Sequence, residues 1–282
     1  MMKVAVRSRP SVVWRAALFL GLVMLAAWAG EATAAAPFED VNDNGIFDGA
    51  DKDISAVFQT TEFIYYKTPH SIVIPAGSPL TSPEKWAGFY LQAGKSITVN
   101  ANITSAAYAG LVDLRAIGGR LTIGPGVVLN GRDYLSLAAR GDIVLGAGAS
   151  LVSRGVSANL GTVQMRTETG DIVVGANVKL TTLRDVFMTA VAGDIAVGPG
   201  LRLSAPQGML FADADRVTIN GAQLRFTGLI VHAADPVELK GNRLMLPKLG
   251  TILVHNPTST VDLTGTALPK IGVTIVAGQV ID

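Results

Sequence analysis

The sequence predicts an all-β protein, a single right-handed parallel β-helix of about eight to nine coils with an N-terminal cap. Three observations predict it. First, the phrase GDIVLGAGASL from Gly141 returns as GDIVVGANVKL from Gly170 and GDIAVGPGLRL from Gly193. Looser copies start at Gly94 (GKSITVNANI), Gly119 (GRLTIGPGVVL), Asp215 (DRVTINGAQL) and Asp235 (DPVELKGNRL). Second, each copy carries two apolar residues spaced by two, as a half-buried strand requires. Third, β-branched residues dominate and glycine falls inside the copies, where a helix would lose about 1 kcal/mol for each. No six-residue period of the kind found in left-handed solenoids is present.

Aligned on the first inward residue, the copies stand at Ile97, Leu121, Ile143, Ile172, Ile195, Val217, Val237 and Val261, in steps of 24, 22, 29, 23, 22, 20 and 24 residues. Three short strands and three corners fit in such a step. The second inward column is Val99, Ile123, Leu145, Val174, Val197, Ile219, Leu239 and Leu263. Next come Asn100, Gly124, Gly146, Gly175, Gly198, Asn220 and Lys240, expected as a corner of positive φ because Gly and Asn tolerate it. A third column follows at Leu129, Leu151, Leu180, Leu203, Leu224, Leu244 and Leu268, and a last strand in each coil, as at Tyr134–Leu137, Val163–Met165 and Leu229–Val231. The 29-residue step needs an extra loop, assigned to Ser153–Gly161.

Ahead of the repeats, residues 1–36 read as an export signal: a basic start (Lys3, Arg7, Arg9, Arg15), the apolar run Ala16–Gly30, then small residues as at a cleavage site. The run is short for a membrane span, so no span is expected in the mature chain. Of the 23 basic and 22 acidic residues, residues 1–34 hold four basic and one acidic, leaving 19 against 21. That balance is no footprint for nucleic acid. With no cysteine, disulfide and thiolate chemistry are excluded.

Residues 37–91 read as a calcium-loop-like segment and cap, with 92–282 as the β-helix. In DVNDNGIFDGAD, Asp40, Asn42, Asn44, Asp48 and Asp51 occupy positions 1, 3, 5, 9 and 12, Gly45 is at 6 and Ile46 offers its carbonyl at 7. Calcium needs six or more oxygens, and this spacing wraps them round an ion if the chain bends at Gly45. The stretch resembles calcium loops of the EF-hand and dockerin type, although it ends in Asp51 and lacks an entering helix. Structural calcium is the expected cofactor, folding the N-terminus onto the first coil. Ser71–Ile74 is placed as a zeroth rung, and Phe63, Tyr65, Tyr66, Trp86, Phe89 and Tyr90 as packing that covers the open end. Leu268–Asp282 is read as a final partial coil.

Three outward features are candidate sites. Asp142, Asp171 and Asp194 precede the inward column and stack as a carboxylate ladder, suited to a cation or to sugar-cleaving chemistry, or else to capping turn backbone. His232 and His255, 23 residues apart, are expected on adjacent coils as half a metal site. Thr98, Thr122, Val144, Val173, Ala196 and Thr218 form a strip of small exposed residues that could dock a partner.

The recurring G-D-I-hydrophobic-G-x-G-x-x-L phrase, over more than half the chain, resembles the β-helical repeats of filamentous-haemagglutinin-like and autotransporter-type bacterial surface proteins. The resemblance implies an exported, elongated β-helix serving adhesion or surface structure, extracellular or at the outer cell surface, with the periplasm as an alternative. The Asn-Pro-Asn-Gly secretion motif of two-partner systems is absent. The expected function is therefore a non-catalytic structural or adhesive protein that binds a surface polysaccharide, a protein or itself along a flat face. The alternatives are a β-helical polysaccharide lyase or hydrolase, since pectinase-like enzymes share the fold, and an ice-binding solenoid. Against the enzyme stand three histidines in all and no Asn-Thr-Asp, Gly-His-Gly or Arg-x-Pro-x-x-Arg pattern.

Overall fold

A computed structural model describes residues 36–59, 63–82, 88–105, 110–155, 160–246, 250–268 and 272–282. The chain divides into Met1–Ala34, outside the described residues together with the expected signal, and Ala35–Asp282. The second unit is a parallel β-solenoid of about nine turns. Each coil runs through a third wall, a first wall and a second wall, named from the order in which the repeat phrase meets them.

The N-terminal strands are β1 (Phe38–Asp40) and β2 (Lys52–Asp53), followed by a short 3-10 turn at Ser55–Gln59. The first coil is β3 (Ile64–Thr68), β4 (Ser71–Ile74) and β5 (Leu80–Ser82), one strand on each wall. Each pairs in parallel with its counterpart one coil on: Ile64 with Phe89, Ile72 with Ile97, Leu80 with Ile103. Ser71–Ile74 is thus the zeroth rung that the sequence reading expects, within a complete coil that begins at Ile64.

The first-wall register follows the sequence alignment residue for residue. Ile97 lies beside Leu121, Leu121 beside Ile143, Ile143 beside Ile172, Ile172 beside Ile195, Ile195 beside Val217, Val217 beside Val237 and Val237 beside Val261. All are fully buried. A one-residue slip would turn every such side chain outward, so the apolar columns fix the register. On the second wall Leu129, Leu151, Leu180, Leu203 and Leu224 form the expected leucine file. Leu244 continues it half-buried, and Leu268 packs on the core from outside any strand.

The third wall is the widest, with strands of five to six residues. Its inward files grade in size. Val112, Leu135, Val163 and Val186 are followed by Leu114, Leu137, Met165 and Met188, then by Ala116, Ala139, Thr167 and Ala190. The small last file sits where the chain turns towards the first wall. Burying one large aliphatic side chain contributes about 1.5–3 kcal/mol, and this core continues through every coil.

One expectation is corrected. The positive-φ corner is not at Gly124, Gly146, Gly175 and Gly198, nor at Asn100, Asn220 and Lys240. It comes one or two residues later, at Gly126, Gly148, Asn177, Gly200, Gly221 and Gly241. The earlier glycines answer a different constraint. A Cβ on Gly146 would lie 2.6 Å from the Pro125 nitrogen, and one on Gly175 2.7 Å from the Leu145 oxygen. Backbone of the preceding coil fills the space a side chain would need. The extra loop expected at Ser153–Gly161 lies partly outside the described residues, as does Trp86.

The two ends differ. At the start, β1 pairs antiparallel with β4 and β2 with β1, which closes the open edge of the first wall against strand addition. Ile54 and Phe38 are buried beneath, with Val57 and Phe58 against the core. Phe89 is fully buried in core, whereas Tyr65 stays exposed. At the other end, Val273–Ile281 pairs in parallel with Thr251–Asp262 and leaves Val276, Val280 and Ile281 exposed.

Candidate functional site

The expected carboxylate ladder forms, and its oxygens are occupied. Asp142 Oδ1 accepts the backbone N–H of Asp171 (3.1 Å), and Asp171 Oδ1 accepts that of Asp194 (2.8 Å). Asp142 and Asp171 thus cap the next coil rather than their own turns. Ser71 and Ser96 hold the same corner in earlier coils, accepting the N–H of Ser96 and of Arg120. Arg120 donates to Asp142 Oδ2 (2.7 Å), and Arg216 stands 3.9 Å from Asp194. The glycine before each aspartate lets the corners close: a Cβ on Gly170 would lie 2.3 Å from the Gly141 carbonyl carbon. The G-D-I phrase is therefore the chemistry by which one corner stacks on another.

The small strip also stands in register, Thr98 beside Thr122, then Val144, Val173, Ala196 and Thr218. It is one residue wide per coil. Towards the end it turns charged, Thr218 being followed by Glu238 and Asp262, both within 4 Å of Lys240.

The calcium-like loop bends at Asp43 (φ 60°) and Gly45 (φ 75°). Asp40 accepts the N–H groups of Asn44 and Gly45, Asp51 those of Val41 and Asp48, and Asn44 Oδ1 that of Ile46. The Asn42 and Asn44 amides donate to Asp48 Oδ2. Among the described residues no three or more Asp, Glu, His or Cys side chains gather as a metal-binding group. The donors nonetheless suit a hard cation in kind, being oxygens of three carboxylates and two amides, with the Ile46 carbonyl alongside. Asp43 ties the loop to the coils through the Ser71 hydroxyl and Lys95 Nζ, each 2.5 Å away. Beside it Glu39 accepts from Tyr66 (2.7 Å) and Thr68 (2.5 Å). Burial alone would push the Glu39 carboxyl up; these two hydrogen bonds and the nearby Lys52 and His70 outweigh it and hold its pKa below the ordinary value.

The third wall carries side chains that the sequence reading passed over. Its long strands leave two or three outward positions per coil, and register turns these into files. In the early coils they form a closed polar layer. Arg115 grips buried Asp113 through Nε and Nη2 (3.1 and 2.8 Å) and lies 5.2 Å from the Tyr90 ring. Tyr90 stacks on Tyr65 at 4.7 Å, and Tyr134 donates to Gln164.

In the later coils the layer opens. Phe187, Phe211, Ile230 and Leu253 make a half-buried apolar file, the two rings stacked at 4.7 Å. Beside it runs Thr189, Asp213, His232 and His255. The two histidines are on adjacent coils as expected, ring centroids 5.7 Å apart. With Arg166 and Thr258 this polar file lines an open groove of about 600 Å³. The signal lay in the alternation of strands such as Thr162–Thr167, once the outward residues (Thr162, Gln164, Arg166) are read as a wall of their own.

No family model, curated protein or solved structure matches this chain. Among the described residues no helix is long and apolar enough to cross a membrane.

Proposed function

We propose that the protein is an exported, non-catalytic structural or adhesive β-solenoid of the filamentous-haemagglutinin-like or autotransporter-like kind. In this reading it binds an extended partner along its outer wall, outside the cell or at its surface. The observation that carries the reading is the paired file on the third wall. An apolar row of Phe187, Phe211, Ile230 and Leu253 runs beside a polar row of Thr189, Asp213, His232 and His255, and the polar row lines an open groove. The stacked rings present their outer edges as an apolar strip to sugar C–H groups or apolar side chains, and the adjacent polar row offers donors and acceptors at the repeat spacing. A rigid ladder keeps both rows straight over several coils, so a linear polymer can meet equivalent groups in turn. The narrow strip from Thr98 to Thr218 offers less contact and one residue per coil.

The test is retention of the protein on a panel of immobilised neutral and acidic polysaccharides, with product analysis of the same mixtures. Retention on at least one neutral polymer without new chain ends, weakened by Phe211→Ala and His232→Ala, is the expected result. Release of product that stops on Asp213→Asn would replace this reading with the polysaccharide-cleaving one.

Calcium in the Asp40–Asp51 loop is a second proposal, supported by the order of oxygen donors and by the bends at Asp43 and Gly45. Its role would be structural, since Asp43 already joins the loop to Ser71 and Lys95. A calorimetric calcium titration should show binding that raises the melting temperature and is lost in Asp40→Ala. A flat titration of the wild-type protein would end it.

A further inference from the structure

Among the described residues, the outward charges of the second-wall strands are all of one sign. The outward positions of the described second-wall strands are Thr81, Thr104, Val128, Asn130, Ser150, Val152, Lys179, Thr181, Arg202, Ser204, Gln223, Arg225, Arg243 and Met245. None is acidic. In the last four coils of this wall the register places Lys179 beside Arg202, Arg202 beside Gln223 and Gln223 beside Arg243, with Arg225 on the same face two residues along from Gln223. All four cations are exposed. None takes part in an ion pair, a side-chain hydrogen bond or a cation–π contact among the described residues.

Elsewhere several cations meet a carboxylate. Lys95 meets Asp43, Arg115 meets Asp113, Arg120 meets Asp142, and Lys240 meets Asp262. Four like charges held on neighbouring coils about 4.8 Å apart repel one another unless an anion lies across them. On a chain that is near neutral overall, these four stand together on one face whose described outward positions include no acid. Low local sign balance of this kind steers and holds a partner of opposite charge.

We propose that this face of the later coils binds an acidic polysaccharide, a polyuronate whose carboxylates succeed one another along the solenoid axis. The regular rise matches a ligand that is itself a linear repeat with one anion per sugar unit. Lys179 can reach it as a point charge and the arginines as planar forks that match a carboxylate, and Thr181, Ser204 and Gln223 supply neutral hydrogen-bonding groups between them. Nucleic acid fits less well: the face carries no aromatic side chain for base stacking, and the chain as a whole lacks the excess of basic residues. The site is on a different wall from the groove of the proposed function and stands or falls separately.

The experiment uses the purified protein and polygalacturonate, compared with the fully methyl-esterified polymer and with neutral dextran, by affinity electrophoresis at low and high salt. Vesicles containing anionic lipid and duplex DNA form two further arms. Polygalacturonate should be retained, weakening as salt rises, and the esterified polymer and dextran should not. The double variant Arg202→Glu, Arg225→Glu should lose about tenfold or more in affinity, as expected when several exposed pairs are removed and reversed. Its melting temperature should stay unchanged, and Phe211→Ala on the third wall should retain polygalacturonate binding. Equal retention of the esterified polymer, unchanged affinity in the double variant, or tighter binding to vesicles or DNA would each overturn the proposal.

Discussion

Two charged files run up this solenoid, and they differ in what their charges face. At the corner before the first wall, Asp142 and Asp171 each accept the backbone N–H of the next coil's aspartate, while Arg120 and Arg216 stand against Asp142 and Asp194. On the second wall, Lys179, Arg202 and Arg243, with Arg225 alongside, have no ion-pair or side-chain hydrogen-bond partner among the described residues. The spacing is the same, set by the strand ladder. The aspartates point along the stack at backbone donors, so their charge is consumed by the architecture. The cations point away from it and leave their charge to solvent and to whatever binds. A periodic residue in a solenoid is thus structural or available according to its direction, not its period.

The comparison breaks most sharply at the glycine beside the aspartate. Gly170→Ala sets a Cβ 2.3 Å from Gly141 and 2.4 Å from the Asp142 nitrogen, both backbone. The corners must part, and a loss of about 3 kcal/mol is expected in urea unfolding. If Gly170→Ala unfolds at the wild-type urea concentration, the corner is not closed by contact. Asp171→Ala should cost about 1 kcal/mol by removing the acceptor for the Asp194 N–H, and Asp171→Asn should recover most of it, because an amide oxygen accepts the same bond. An alanine variant as stable as wild type would assign the aspartate file to solvent after all.

A smaller, pH-dependent effect is expected at Glu39, another charge turned inward. Its pKa is depressed in the folded chain, the hydrogen bonds from Thr68 and Tyr66 overcoming burial. A depressed carboxylate contributes stability that is complete above its unfolded value and is lost as pH falls through the folded one. Thermal melts should therefore drop in that acid window more steeply for wild type than for Glu39→Gln. Parallel curves would remove Glu39 from the cap's stability. The smallest stability effect belongs to the free file: Arg202→Glu with Arg225→Glu should change unfolding by no more than about 0.5 kcal/mol, while binding to a polyuronate falls. A clear loss of stability would show those cations to be structural.

Most of the coil plan was legible because it is written in apolar residues. Ile97 through Val261 must point inward, and the two-residue alternation leaves one register that buries them all. The cation file was legible too, one residue ahead of the leucines at 180, 203 and 244. It passes unnoticed when the inward columns are followed for their own sake. The direction of the aspartates was not legible. A Gly-Asp pair satisfies an ordinary turn equally well, and only the coil next door, 23 or 29 residues away in sequence, shows which N–H the carboxylate takes.

By itself the sequence determined the parallel β-solenoid, the apolar register of its walls and the absence of disulfides, since burial pattern and composition act locally and add up coil by coil. Tertiary structure alone decided that the glycines after the first wall yield to neighbouring backbone rather than to positive φ, that Asp142 and Asp171 bind along the stack, and that four cations share a face with no acid among its described outward positions. Those outcomes depend on which atoms of separate coils come within a few ångströms, and the repeat spacing does not specify that distance.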